Sequence, residues 1–233
     1  MTHLKTKRMT NALVKVWDAK AEKTGLHRTM YSVNGDQYIG EWIDNKKHGK
    51  GKQFWKKAGE IYDGDWIKGK REGFGILSRI DHKTKEFVKV YIGSWKNNKK
   101  DGTGMYIYSP FEFYEGDWHQ DERSGWGRMH YMNGELYEGE WLKDKQHGRG
   151  LLLLANGNRF IGGWSKGKKN GAGQFFYLDR GQLYDGFWLN GVAKCGSISD
   201  FRREAAVKPT VCPLPRVCLQ DPQAVLMEVR SLL

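Results

Sequence analysis

Through most of the chain, apolar and polar residues alternate with period two, and glycine breaks the alternation at regular intervals. The pattern Tyr-x-Gly-x-Trp, six further residues and Gly-x-Gly starts at Tyr38, Gly40 and Trp42 and closes at Gly49 and Gly51. It recurs from Tyr62, Gly64 and Trp66, from Tyr91, Gly93 and Trp95, from Tyr114, Gly116 and Trp118, and from Tyr137, Gly139 and Trp141. Phe160, Gly162 and Trp164 open a sixth unit; Tyr184, Gly186 and Trp188 open a seventh that decays at Cys195 and Gly196. The first positions lie 24, 29, 23, 23, 23 and 24 residues apart, a period that chance does not give. Side chains alternate faces along a strand, so Tyr, Gly and Trp at i, i+2 and i+4 share one face, and the glycine leaves room for the rings.

The six residues after each Trp read as a loop. The paired glycines then open a second strand, with Leu77, Tyr106, Tyr108, Met129, Tyr131, Leu152, Leu154, Phe175 and Tyr177 on the glycines' face. Asn34-Gly35, Asn133-Gly134 and Asn156-Gly157 carry the signal of two-residue hairpin turns. Each unit is therefore predicted to be a β-hairpin. A lone hairpin cannot cover its own rings, so neighbours must stack. The expected fold is mainly β: a single-layer, twisted, trough-shaped antiparallel ribbon of about thirteen strands. Short helices are expected at both ends, over Thr10 to Lys23 and from Asp221-Pro222 onward. The domain reading is 1–37 as a helix and half-repeat cap, 38–197 as repeats, and 198–233 as a Pro-rich tail ending in a helix. Between Tyr62 and Tyr91 the six extra residues, with Ile80, Phe87, Val88 and Val90 flanking Asp81 to Glu86, predict longer strands carrying a turn outward to meet a partner.

Units such as Tyr137-Glu138-Gly139-Glu140-Trp141 resemble the MORN (membrane occupation and recognition nexus) repeats, over about residues 25 to 197. Departures are Phe160 for Tyr, Gly163 in place of an acidic residue, and the lost glycines of the seventh unit. The resemblance implies a tether at membranes, cytoskeleton or cilia. The stretches Trp17 to Tyr31 and Val33 to Trp66 bring the chain close to one member, which implies a male germ-cell setting at the acrosome or flagellum.

Composition changes this picture little. Gly at 30 copies and aromatic residues at 13%, beside only 39% hydrophobic residues, fit turns and a thin aromatic core. The net charge of +12 matters through its placement. The six loops hold fourteen basic and six acidic residues, and stacking would line up Lys68, Lys70, Arg71, Lys96, Lys99, Lys100, Lys143, Lys145, Lys166, Lys168 and Lys169, with Lys46 and Lys47, along one edge. Three readings stand side by side: a solvated edge that resists aggregation, a contact for acidic phospholipid such as phosphoinositide, and, weakest, nucleic acid. On the face opposite the ladder, Ile92, Met105, Ile107, Trp126, Leu151, Leu153 and Phe176 interrupt a row of acidic residues and mark a protein-docking surface, unless the terminal helices cover it. In the tail, Val225, Leu226, Val229, Leu232 and Leu233 form one helical stripe that could lie across the sheet or serve a partner.

No run of about 18 apolar residues occurs, and no apolar stretch follows the charged N-terminus, which argues against a spanning or secreted chain and for a cytoplasmic one. Cys195, Cys212 and Cys218 are odd in number and form no disulfide framework. No phosphate-cradling glycine loop, catalytic constellation or metal-ligand spacing appears, so neither enzyme activity nor a cofactor is expected. The function expected from sequence is a non-enzymatic scaffold for other proteins. Its alternative is a peripheral lipid-binding module.

Overall fold

The structure is a computed structural model that describes residues 22–214. Fifteen strands follow chain order in one open antiparallel sheet. The chain divides into two compact units, residues 1–146 and 147–233. The first holds β1 (Gly25–Tyr31), β2 (Gln37–Ile43), β3 (Lys46–Trp55), β4 (Glu60–Ile67), β5 (Lys70–Ile80), β6 (Phe87–Lys96), β7 (Lys99–Ser109), β8 (Glu112–His119), β9 (Glu122–His130) and β10 (Leu136–Leu142). The division falls within β11 (Lys145–Leu153), and the second unit continues with β12 (Arg159–Ser165), β13 (Lys168–Tyr177), β14 (Gln182–Leu189) and β15 (Val192–Asp200). The expected C-terminal helix lies outside the described residues, as does Thr10 to Ala21 of the N-terminal one. Glu22 and Lys23 are described and belong to no helix. The helical turn among the described residues is Arg203–Ala205.

The turns fall where the sequence does not place them. Both residues of Asp44-Asn45, Asn97-Asn98, Gln120-Asp121 and Lys143-Asp144 take left-handed backbone angles, as do Lys68-Gly69, Lys166-Gly167 and Asn190-Gly191. That is the signature of two-residue hairpin turns, whose twist matches the flanking strands. The six residues after each Trp are therefore strand, tight turn and strand, not loop. The Asn-Gly pairs instead sit in three-residue loops: Gly35 N–H donates to Ser32 O at 2.9 Å and Ser32 N–H to Asp36 O at 2.9 Å, with only the glycine left-handed.

The core is a ladder of rings lying on glycine. In the first unit a row of facing glycines runs Gly40, Gly51, Gly64, Gly75, Gly93, Gly104, Gly116, Gly127, Gly139 across successive strands. The Tyr ring of each hairpin lies on this floor, and Tyr62, Tyr91, Tyr114 and Tyr137 are fully buried. Each phenol donates to the carbonyl three residues on, as Tyr62 does to Asp65 O at 3.0 Å and Tyr91 to Ser94 O at 3.0 Å. The register slips by two residues just there, between Gly64 and Trp66 or Gly93 and Trp95, so the carbonyl that accepts the phenol lies within the bulge. Tyr38, Tyr62, Tyr91 and Tyr114 each meet edge-on the Trp of their own hairpin and that of the next: Tyr62 touches Trp66 at 5.2 Å and Trp95 at 5.4 Å. The later indole donates to the glycine floor behind it, Trp95 to Gly75 O at 3.2 Å and Trp118 to Gly104 O at 3.1 Å. Stacking is thus bonded as well as apolar.

The second unit repeats the plan. Phe160 meets Trp164 at 5.5 Å and Trp188 at 5.2 Å, and Gly150, Gly162, Gly173, Gly186 and Gly196 face one another in turn. The decayed seventh hairpin is complete. Its bulge moves, and the Tyr184 hydroxyl donates to Cys195 O at 2.8 Å across the pair.

Burial raises the phenol pKa of Tyr38, Tyr62, Tyr91 and Tyr114 well above its ordinary 10.0 and lowers the ammonium pKa of Lys47 and Lys100 below 10.5. A raised phenol pKa stabilises the fold below pH 10.0, and that stabilisation is lost as the pH climbs through the folded-state value; the lowered lysines work the other way up to pH 10.5. Above that range, of these six groups only the phenols act. Stability is expected to fall steeply there, with these four phenols ionising together with loss of the sheet. Their phenolate absorbance rising while the circular dichroism stays native would contradict this.

Candidate functional site

Away from the ladder, one row crosses the far face of the first unit: Ile39, Lys52, Asp63, Ile76, Ile92, Met105, Glu115, Arg128 and Glu138 stand side by side on neighbouring strands. Its middle is apolar and its flanks are paired charges, with Lys52 and Asp63 at 3.3 Å and Arg128 held by Glu138 at 3.0 Å and Glu115 at 3.7 Å. Ile107 adjoins on one side, facing Phe113, whose ring stacks on His130 at 4.2 Å. On the other side stand Phe74, 54% exposed, and Trp126, 52% exposed. The acidic residues that alternate with the ladder take two roles, and Asp65 takes both. Asp63, Glu115 and Glu138 make ion pairs along the row, while Asp65, also paired with Lys50, accepts Phe74 N–H at 2.9 Å and Asp117 accepts Trp126 N–H at 3.0 Å, tying down the bulges.

At one margin of this face Thr29, Ile39, Lys52, Phe54, Ile61 and Phe87 line an open hollow of about 330 Å³. Phe87 belongs to the insertion, whose strands lengthen as the sequence predicts and pair out to Ile80 and Phe87. The base of this projection is seated on the preceding hairpin: Phe87 meets Phe54 edge-on at 6.0 Å, and Ile80 N–H donates to Gly59 O at 2.8 Å. Asp81 to Glu86 form its exposed tip, where the Asp81 carboxylate accepts Lys83 N–H at 2.7 Å.

The basic edge does not hold together as the sequence implies. Lys68, Lys143 and Lys166 occupy turn tips, and Lys70, Lys96, Lys99, Lys145 and Lys168 stand exposed beside the turns. Arg71, Lys100 and Lys169, with Lys47, face the other way. The register puts Arg71 across from Trp66, Lys100 across from Trp95 and Lys169 across from Trp164, on the ladder side. Lys100 Nζ lies 4.0 Å from the Trp118 ring centre and 5.8 Å from that of Tyr91, and Arg71 lies 4.1 Å over Trp95. Arg123, which the sequence does not single out, takes the same seat 4.4 Å over Trp141. A cation over a ring face is attracted by its quadrupole, the more so when water is excluded. These residues close the ladder; they are not a free edge. The legible signal was a basic residue five positions after the motif Trp in five of the six units, with Gln146 in the other.

In the second unit Leu151 is half-buried and Leu153 exposed on the far face, but Phe176 is only 7% exposed. Phe201 meets its ring at 5.1 Å and the Arg159 guanidinium lies 4.6 Å from it, so it is no free contact residue. The segment after β15 is fixed by Phe201 N–H to Gly181 O and Lys208 N–H to Asp179 O, each at 2.8 Å. Cys195 and Cys212 are exposed thiols, and among the described residues no group of three or more His, Cys, Asp or Glu could hold a metal.

Comparison with known proteins agrees with this architecture. The MORN repeat model matches residues 38–57, 62–84, 91–110, 114–135, 137–159 and 160–181. MORN repeat-containing protein 3 of Xenopus laevis is 55% identical over 99% of this chain and 97% of its own length. The Bos taurus protein of that name is 58% identical over 100% and 96%, and the Homo sapiens one 60% over 98% and 95%. Among solved structures, a catalytically inactive virginiamycin B lyase of Staphylococcus aureus aligns at 11% identity over 77% of this chain and 70% of its own, with a TM-score of 0.17 that carries no argument.

Proposed function

Because the chain belongs to the MORN repeat family, we propose that it is a non-enzymatic scaffold which holds a partner protein against the far face of its first unit. The observation that carries this reading is the apolar stretch Ile76, Ile92 and Met105, flanked by ion pairs and edged by the exposed rings of Phe74 and Trp126. Apolar surface rimmed by charge is what a protein partner buries, and exposed aromatic rings are the side chains that anchor such contacts. The family resemblance supports a male germ-cell setting, at the acrosome or flagellum. The test is cross-linked capture from germ-cell extract with the wild type and with Ile92→Glu/Met105→Glu, variants on a face the ladder does not use. Proteins recovered by the wild type are expected to drop at least about tenfold with the variant, since losing an anchoring contact costs about 2 kcal/mol. Equal recovery by a variant with unchanged melting would refute the reading.

A second reading has its own observation. Ile43 and Ile67, 45% and 47% exposed, stand directly across from Lys46 and Lys70 beside the turns, and exposed Leu142 lies between the turn's neighbours Trp141 and Lys143. Aliphatic side chains ringed by lysine at an edge suit the headgroup layer of an acidic membrane, where each Lys adds about 1 kcal/mol. Vesicles carrying phosphoinositide are expected to bind the chain at low salt, release it as salt rises, and bind Lys68→Glu/Lys70→Glu/Lys96→Glu/Lys99→Glu at least about a hundredfold more weakly. A wild type that ignores such vesicles at low salt removes this reading.

A further inference from the structure

The far face of the first unit repeats a small construction with different residues in it. In three repeats the acidic residue between the motif Gly and Trp accepts the N–H of the residue between the paired glycines: Glu41 from Lys50 at 3.0 Å, Asp65 from Phe74 at 2.9 Å and Asp117 from Trp126 at 3.0 Å. Lys50, Phe74 and Trp126 thus each stand with a carboxylate fixed on one side. The strand on the other side puts Asp65 across from Lys50, Ser94 across from Phe74 and Glu140 across from Trp126. Lys50 and Trp126 are therefore flanked by acids on both sides, and Phe74 on one.

The first of the three shows what such a pair of acids holds. The Lys50 ammonium is ion-paired with Asp65 while its amide is bonded to Glu41. At Trp126 both flanking positions are again acidic, but the residue between them is an exposed indole instead of a cation. Arg128, two residues on, is taken up elsewhere, with Glu138 at 3.0 Å and Glu115 at 3.7 Å. Gly116 and Gly127, having no side chains, leave a shallow hollow of about 330 Å³ beside the indole, lined by Glu115, Arg128 and Glu138 as well.

An indole face attracts a cation through its quadrupole. A guanidinium suits the place better than an ammonium, because it is flat enough to stack on the ring while its edge donates paired N–H bonds to carboxylates. We infer that the partner seated on this face lays an arginine on Trp126, its guanidinium bonded to Asp117 and Glu140, where the first repeat carries its own Lys50. This rests on the docking reading above and gives it a direction: the partner segment is apolar where it meets Ile76, Ile92 and Met105, and basic where it reaches Trp126. Ile92 on β6 and Trp126 on β9 are three strands and one row of side chains apart, roughly 16 Å, which an extended segment spans in about five residues. An acidic segment would be repelled at that end.

The test is selection of displayed random dodecapeptides on the full chain. Peptides that bind the wild type but not Ile92→Glu/Met105→Glu are seated on the far face, and they are expected to share an arginine about five residues from an apolar anchor. Trp126→Lys gives the fourth repeat the residue that the first repeat already folds with, and it fills the acidic pair with the chain's own cation. By calorimetry the best such peptide is expected to bind Trp126→Lys at least about tenfold more weakly, and to lose as much on the wild type when glutamine replaces its arginine. The two changes together are expected to cost no more than either alone, because they remove one contact. Losses that add would mean that Trp126→Lys acts through the fold, and would overturn the inference. Far-face peptides without a shared arginine, or with binding that Trp126→Lys leaves unchanged, would overturn it while leaving the docking reading in place. A selection that yields no peptide sensitive to Ile92→Glu/Met105→Glu would overturn both.

Discussion

Gly104→Ala is expected to destabilise the third and fourth repeats by roughly 3 kcal/mol, the upper end for overpacking a filled site. A Cβ on Gly104 would lie 2.3 Å from the Tyr91 hydroxyl oxygen and 2.5 Å from Cζ. The ring has nowhere to go. It is fully buried, its hydroxyl is bonded to Ser94 O at 3.0 Å, and Trp95 and Trp118 stand against it at 5.1 and 5.6 Å. Gly69→Ala is the control, because the left-handed backbone there, φ +81°, strains any side chain while nothing lies within 4 Å of the new methyl. It should cost only about 1 kcal/mol. The measurement is local opening free energy by hydrogen exchange around each site, since a stacked array has no single unfolding transition. Equal costs for the two glycines would mean that the floor under the rings is not what glycine is needed for.

The ladder was legible in sequence because its three residue types recur at a spacing that alternation alone converts into one face. Hairpins, their order and the longer third pair of strands followed from the same reading. The turns were misplaced because Asn-Gly carries a strong signal, while the tight turns are built from unlike pairs such as Gln120-Asp121 and Lys143-Asp144, which share only their backbone angles. That error carried the cations with it. Read as loop residues, Arg71 and Lys100 belong on a solvated edge; with a two-residue turn they stand across from Trp66 and Trp95 and fold over the rings. Phe176 was misread for another reason: alternation gives the face of a residue but not what a later segment lays on it, here Phe201. Ile92 and Met105 stand on the face that alternation gives them, because register alone places them.

Trp118→Ala should cost about 3–5 kcal/mol, as for other buried aromatic truncations, and the loss should spread across two repeats. The indole is 5% exposed. It meets Tyr91 of the preceding hairpin at 5.6 Å and Tyr114 of its own at 5.2 Å, leans on Tyr106 at 6.0 Å, and donates to Gly104 O at 3.1 Å. Lys100, whose ammonium sits 4.0 Å from the ring centre and whose pKa burial already lowers, would be left partly desolvated over an empty site. Removing one ring therefore strips cover from the third repeat as well as from the fourth. Hydrogen exchange should show protection falling in residues 91–110 and 114–135 together, while the amides of β2 and β3 keep theirs. Because opening in such an array is set by nearest-neighbour interfaces, a loss confined to residues 114–135 would show that each hairpin is stable through its own contacts and that stacking adds little.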